Sequence, residues 1–243
     1  MKIFLINPDY GMTEGEIKER LTILSHHVSS DVELHMECLE KSRLFIDSEL
    51  DIALAAPEII EKALRAQKEG YDAVVLYCFS DPAIAALREV LSIPVVGAGQ
   101  AACLMLPFIG REAALIILDA KRIAEKRRFI AASGLDPARI TAVSAIDAGG
   151  LDPFKERAKT LDALTKAGEK LIEGNNAQVI ILGCLSFLGL AEPLGERLGI
   201  PVIDPALAAV TMAEALVRQA LTTSHKSYPV PPDRERSWSE GRI

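Results

Sequence analysis

Residues 71–102 read YDAVVLYCFSDPAIAALREVLSIPVVGAGQAA, and a related order of residues returns at 177–210 as AQVIILGCLSFLGLAEPLGERLGIPVIDPALAAV. In each copy a short apolar run ends in a cysteine, Cys78 or Cys184, followed by a helical pattern, an Ile-Pro-Val segment and an Ala-rich helical stretch. Cys78 precedes Pro94 by 16 positions and Cys184 precedes Pro201 by 17, while Ser80 and Ser186 each lie two residues past their cysteine. A repeat of this length predicts two similar lobes with one thiol in each.

The runs AVVLY and VIILG are continuous, short and rich in β-branched residues, the pattern of parallel strands buried on both faces. Ligands of open α/β sheets sit beyond the carboxyl ends of such strands, where both cysteines fall. A helix is expected just after each one, with Asp81 as N-cap and Pro82 at the first helical position. Backbone N–H groups and the helix dipole there would favour a thiolate and lower its pKa from about 8.5. One strand-end cysteine reads as a small buried residue; two at matched positions of a repeat read as a functional pair. Cys38 and Cys103 stand outside the repeated strand ends and are expected to be buried structural residues, while His26, His27, His35 and His225, absent from both motifs, are expected in surface or packing roles.

At 243 residues with 49% hydrophobic composition, the chain can bury one core or two small ones. A formal charge of −7 argues against a nucleic-acid partner, whose footprint is a basic stripe. The tight basic run Lys126-Arg127-Arg128 reads as a solvated helix face. No apolar segment approaches the roughly 18 residues of a membrane span, and the four cysteines lack metal or disulfide-framework spacing. A cytoplasmic protein with a small-molecule substrate, no metal, no cofactor, no membrane partner and a homo-oligomeric state is expected. The lack of a phosphate loop or dinucleotide glycine motif fits cofactor-free chemistry.

Strand and helix patterns alternate along the whole chain, which means parallel sheets flanked by helices. Lys2 to Asn7 reads as the first strand, 7–11 as a turn, and Thr13 with Glu16 as a capping box opening a helix to about Val28. Residues 39–52 read as a long connection able to cover a cleft, and a helix is expected from Pro57 to Lys68. Gly97, Gly99 and Gln100 lie at a crossing to the second lobe and suit either a turn or close approach to a ligand. In the second lobe, strands are expected at 113–118 and 140–146. Helices are expected at 123–133 and from Asp152-Pro153 to about Glu173, then a last helix capped by Asp204 that returns to the first lobe. The expected fold is thus α/β, with two pseudosymmetric lobes, each a mainly parallel sheet flanked by helices, and an active-site cleft between them. Lobe I would comprise 1–97 plus 206–243, and lobe II 98–205. The Pro-rich, charged tail from Thr222 is expected to drape over the surface or lack order, with Trp238 as a docking residue.

The opening Ile6-Asn7-Pro8, the sequence Cys78-Phe79-Ser80-Asp81-Pro82 and the later Leu182-Gly183-Cys184 together resemble the aspartate/glutamate/hydantoin racemase superfamily, most closely its hydantoin racemase branch. The resemblance implies a cofactor-independent racemase in which Cys78 and Cys184 act as acid and base on opposite faces of a carbon acid. Asn7, Phe79, Ser80, Leu185 and Ser186 would bind substrate. Asn7 would reach a carbonyl or amide and the serines would donate to it, although a turn role for Asn7 and cap roles for the serines explain those residues too. Phe79, Leu185, Phe187 and Leu188 suggest an apolar pocket wall. Dicarboxylate amino-acid racemases of the superfamily carry Cys-Asn-Thr and Gly-Cys-Thr; here stand Cys78-Phe79-Ser80 and Gly183-Cys184-Leu185, which argues against a free second carboxylate on the substrate. Other readings are a superfamily isomerase or decarboxylase using one cysteine differently, or a non-catalytic two-lobed protein that binds a small ligand. Slow, equal alkylation of all four thiols would favour the last.

Overall fold

The computed structural model describes residues 1–146 and 150–233, together with the backbone of 237–238 and 241–242. Its contacts divide the chain into two compact units. One comprises Met1–Tyr77, Asp81–Gly97 and Val210–Ile243, the other Cys78–Ser80 and Ala98–Ala209.

The sheet of the first unit is parallel, in the order β2-β1-β3-β4. β1 (Lys2–Tyr10) and β3 (Ala73–Leu76) occupy its centre, and their IFLI and AVVL runs are wholly buried. β2 (Glu33–Leu39) is an edge strand and accordingly only partly buried, while β4 (Val95–Gly97) is short. The sheet of the second unit repeats the order, β6-β5-β7-β8, also parallel. Here β5 (Ala113–Ile117) and β7 (Val179–Leu182) are central and buried along their length, between β6 (Ile140–Ala145) and β8 (Val202–Ile203). Identical strand order in two units is what the repeat demands. Both parallel sheets are flanked by helices, as expected of the α/β class.

The helices of the first unit include α1 (Glu14–Ser25), which opens with the expected capping box: Thr13 Oγ1 accepts from Glu16 N while Glu16 receives the Thr13 N–H. α2 (Glu49–Lys68) corrects the expectation that a helix begins at Pro57. Ser48 caps it, accepting from Asp51 N at 3.2 Å, and Pro57 lies inside the helix, where it removes one ladder hydrogen bond without ending it. The 39–52 connection therefore shrinks to 40–48, and Glu58 of α2 fastens it. The Glu58 carboxylate accepts the N–H groups of Glu40 (2.6 Å), Lys41 (3.1 Å) and Ser42 (2.9 Å) and the Ser42 hydroxyl (2.9 Å). β1 also runs past Asn7 to Tyr10, with a register shift against β2, where a turn was expected.

In the second unit α4 (Ala98–Ile109) leads to β5. α5 (Ile123–Ala132) ends before Gly134, whose φ of +95° only glycine adopts readily. α6 (Arg157–Asn175) starts four residues later than Asp152-Pro153 suggests, because Asp152 caps a preceding turn through the N–H groups of Phe154 and Lys155. α7 (Ala191–Leu198) places Leu194 in a core with Ile116, Ile180, Leu182 and Phe187. α8 (Pro205–Arg218) begins among residues of the second unit and ends among those of the first, where Glu214 and Arg218 bind Ser29 and Asp31. The tail from Thr222 lies against the first unit: Thr222 donates to Ser92 O at 2.6 Å, and Arg88 stands 5.7 Å from the centre of the Tyr228 ring. The Trp238 side chain lies outside the described residues.

Candidate active site

Parallel pairing ends at the same point in both units. Leu76 is the last β3 residue in register with β1, opposite Ile6, and Leu182 is the last β7 residue in register with β5, opposite Ile116. One further backbone bond follows each, from Tyr77 N to Ile6 O (2.9 Å) and from Gly183 N to Ile116 O (2.7 Å). Cys78 and Cys184 are the next residues, so each leaves its sheet at the same step. Both are half-buried, and both belong to the second unit. A side chain at Gly183 would meet Ile117 Cγ2 at 2.5 Å, which explains the glycine before Cys184.

The loops then diverge. Cys184 itself precedes a 3₁₀ turn, Leu185–Phe187, and its Sγ lies 2.9 Å from Ser186 Oγ, so the serine is a direct hydrogen-bond partner of the thiol. After Cys78 no helix follows at once. Asp81 has φ +44° and Ala83 has φ +62°, and α3 (Ile84–Val90) has no side-chain cap. The reading of Asp81 as N-cap is therefore wrong. Pro82 cannot open a helix when Ala83 after it is left-handed, so α3 starts only at Ile84. The Asp81 carboxylate is instead buried beside Gly97, where an added Cβ would come within 2.3 Å of its Cγ and Oδ2.

Ser80 points to cations. Its Oγ accepts from Lys126 Nζ at 2.6 Å and from Arg122 NH2 at 3.3 Å. Lys126 is 5% exposed, whereas Arg127 and Arg128 beside it are exposed, so the solvated-face reading fails for Lys126 alone. The Glu125 carboxylate lies 3.1 Å from both Arg122 and Lys126. Phe79 is buried with its ring 5.5 Å from Phe129, and Lys126 Nζ sits 5.5 Å from the Phe79 ring centre. Gly99 lets α4 close on this group: a Cβ there would meet Phe79 O at 2.1 Å and the Phe129 ring at 2.6 Å. Gly97 and Gly99 are thus explained by packing, and Gln100 by its bond to Ser133 O.

Asn7 is 3% exposed. Its Nδ2 contacts Cys38 Sγ at 3.4 Å across the β1–β2 register, and its Oδ1 accepts from Asp9 N. Burial pushes the Cys38 thiol above its ordinary value, against the opposing bond from Asn7. Cys103 is buried. Leu185, Phe187 and Leu188 are also buried, and Phe187 belongs to the core under β7. Among the described residues no group of three or more His, Cys, Asp or Glu side chains could hold a metal ion, and no helix is long and apolar enough to cross a membrane.

A doubly repeated parallel α/β fold with a cysteine at each equivalent strand end defines a class of cysteine-bearing two-lobed enzymes. The family model described as Asp/Glu/Hydantoin racemase matches residues 3–213, and the chain belongs to this family of racemases. It is 28% identical over 239 residues to a hydantoin racemase of Paenarthrobacter aurescens, covering 97% of this chain and 99% of that one. It is 30% identical over 236 residues to a hydantoin racemase of Rhizobium meliloti, covering 95% of each. Among solved structures, allantoin racemase from Pseudomonas fluorescens superposes with a TM-score of 0.89 at 25% identity, covering 98% of this chain and 100% of that one.

Proposed function

We propose that this enzyme racemises a cyclic ureide of the hydantoin or allantoin type without a cofactor, using Cys78 and Cys184 as the two bases. The observation that carries the proposal is the pair of thiols at equivalent strand ends, each one residue past the final sheet hydrogen bond. The names of relatives that span nearly the whole chain support the ureide class. In such a ring the carbonyl next to the stereocentre delocalises the carbanion, so the carbon proton is far more acidic than in a free amino acid. A thiolate can then remove it, provided donors stabilise the enolate.

In one direction the thiolate of one cysteine takes the proton from one face, leaving an enolate and a thiol. The other cysteine, as a thiol, returns a proton to the opposite face and becomes the thiolate. One C–H and one S–H bond break and one of each forms, so the step balances, and no redox partner enters. The residues that directly follow the cysteines, Phe79 and Leu185, are neutral and suit an uncharged ring. Ser80, Ser186 and Asn7 would supply its polar contacts.

Enantiopure 5-substituted hydantoins, allantoin and free amino acids, followed by circular dichroism, test the assignment. Loss of optical activity is expected with the ureides and not with the amino acids. Retention of optical activity across all three classes would overturn it.

A further inference from the structure

A hydroxyl carries one donor hydrogen and two acceptor lone pairs. At Ser80, Lys126 and Arg122 both donate to Oγ, and neither ammonium nor guanidinium can accept a hydrogen bond in return. Both lone pairs are therefore occupied, and the Ser80 hydrogen is free only to be given to an acceptor. The donors are charged, which makes the O–H more acidic and the bond it gives stronger. Nothing comparable holds at Ser186, whose partner is the Cys184 sulfur.

Burying an ammonium costs several kcal/mol unless it is well paired. Lys126 is buried against an aromatic ring, with a carboxylate it shares with Arg122. An apolar residue on this face of α5 would pack more cheaply against Phe79 and Phe129. A serine held by two cations and placed two residues after Cys78 is suited to an oxygen that becomes negative during the reaction.

We propose that Arg122 and Lys126 lock Ser80 as a one-way donor to the substrate carbonyl oxygen that develops into the enolate. This rests on the racemase reading above and names the group that stabilises its intermediate. The Ser80 proton stays on Ser80 throughout. Lys126 and Arg122 are positioning residues acting through it.

Two experiments on the full chain test this. With a ureide that the wild type racemises, Ser80→Ala and Lys126→Met should each lower kcat about 100-fold with KM nearly unchanged, the loss typical of one oxyanion donor. The double variant should be no slower than either single one, because both remove the same bond. Ser80→Thr and Lys126→Arg should recover most of the rate, which separates the role from folding. Unchanged kcat in Ser80→Ala, or additive losses in the double variant, would overturn the proposal. The second experiment needs no substrate and so survives failure of the ureide assignment. Alkylation of Cys78 by iodoacetate, an anion, is compared with that by neutral iodoacetamide, using peptide mass spectrometry. The iodoacetate-to-iodoacetamide ratio should fall about five-fold in both Ser80→Ala and Lys126→Met. An unchanged ratio in both would overturn the proposal whatever the substrate.

Discussion

After β4 the carboxylate that fills the space beside Gly97 belongs to Asp81, in the cysteine loop; after β8 the corresponding carboxylate is carried by the chain at Asp204 itself. Gly97 and Asp204 are equivalent, each standing three residues past the proline of its Ile-Pro-Val segment. Asp204 accepts from Ala206 N at the start of α8 and, through its other oxygen, from Gly189 N in the Cys184 loop at 2.9 Å. One side chain thus joins a helix start to a cysteine loop. In the first repeat the acid stands in the loop, and glycine occupies the strand end. The serines of the two loops differ as well: Ser186 bonds its thiol, and Ser80 a pair of cations.

If that correspondence is right, it can be broken selectively. Gly97→Ala should have the largest effect, about 3 kcal/mol of lost stability, because its Cβ has no room beside the buried Asp81 carboxylate. Combining it with Asp81→Gly should recover part of that loss in a urea-melt cycle, and strict additivity would break the correspondence. Asp204→Ala should cost about 2 kcal/mol, since it removes a helix cap and the acceptor for Gly189.

A third carboxylate sharpens the comparison. Glu58 holds the 40–48 loop through three backbone N–H groups and belongs to the first unit, whereas both cysteines belong to the second. Burial alone would raise its pKa, but these bonds outweigh it and hold the carboxyl below its usual value. Its stabilising contribution is therefore present above about pH 4.3, the unfolded value, and is lost as pH falls through the lower folded value. Glu58→Gln should cost about 1–2 kcal/mol at neutral pH and remove that part of the acid sensitivity, with kcat unchanged. The smallest effects belong to the remaining thiols. Cys38→Ser and Cys103→Ser should leave racemisation nearly unchanged, and Cys38, held as a thiol by burial, should alkylate more slowly than Cys78 or Cys184.

The repeat was legible because central parallel strands are continuous apolar runs, so AVVL and VIIL mark both sheets and place both cysteines without further help. Less legible were features that depend on side chains meeting across the fold. Pro57 looked like a helix start, yet Ser48 and Asp51 three residues later already spelled a cap. Asp81-Pro82 looked like a cap because the dipeptide usually is one, and nothing local announces a left-handed aspartate. Lys126 was hidden in a basic run. The available signal was its spacing of four from Ile130, which puts it on the buried stripe of α5 while Arg127 and Arg128 face outward.

The two-base account is tested most directly by proton exchange in deuterated water with Cys78→Ser and Cys184→Ser. Serine nearly preserves shape but is far too weak an acid or base to replace a thiol here. Each variant should lose racemisation yet still exchange the stereocentre proton of one enantiomer, because the remaining thiolate works on its own face. The two variants should choose opposite enantiomers. Exchange of the same enantiomer by both, or racemisation at near wild-type rate by either, would contradict the account.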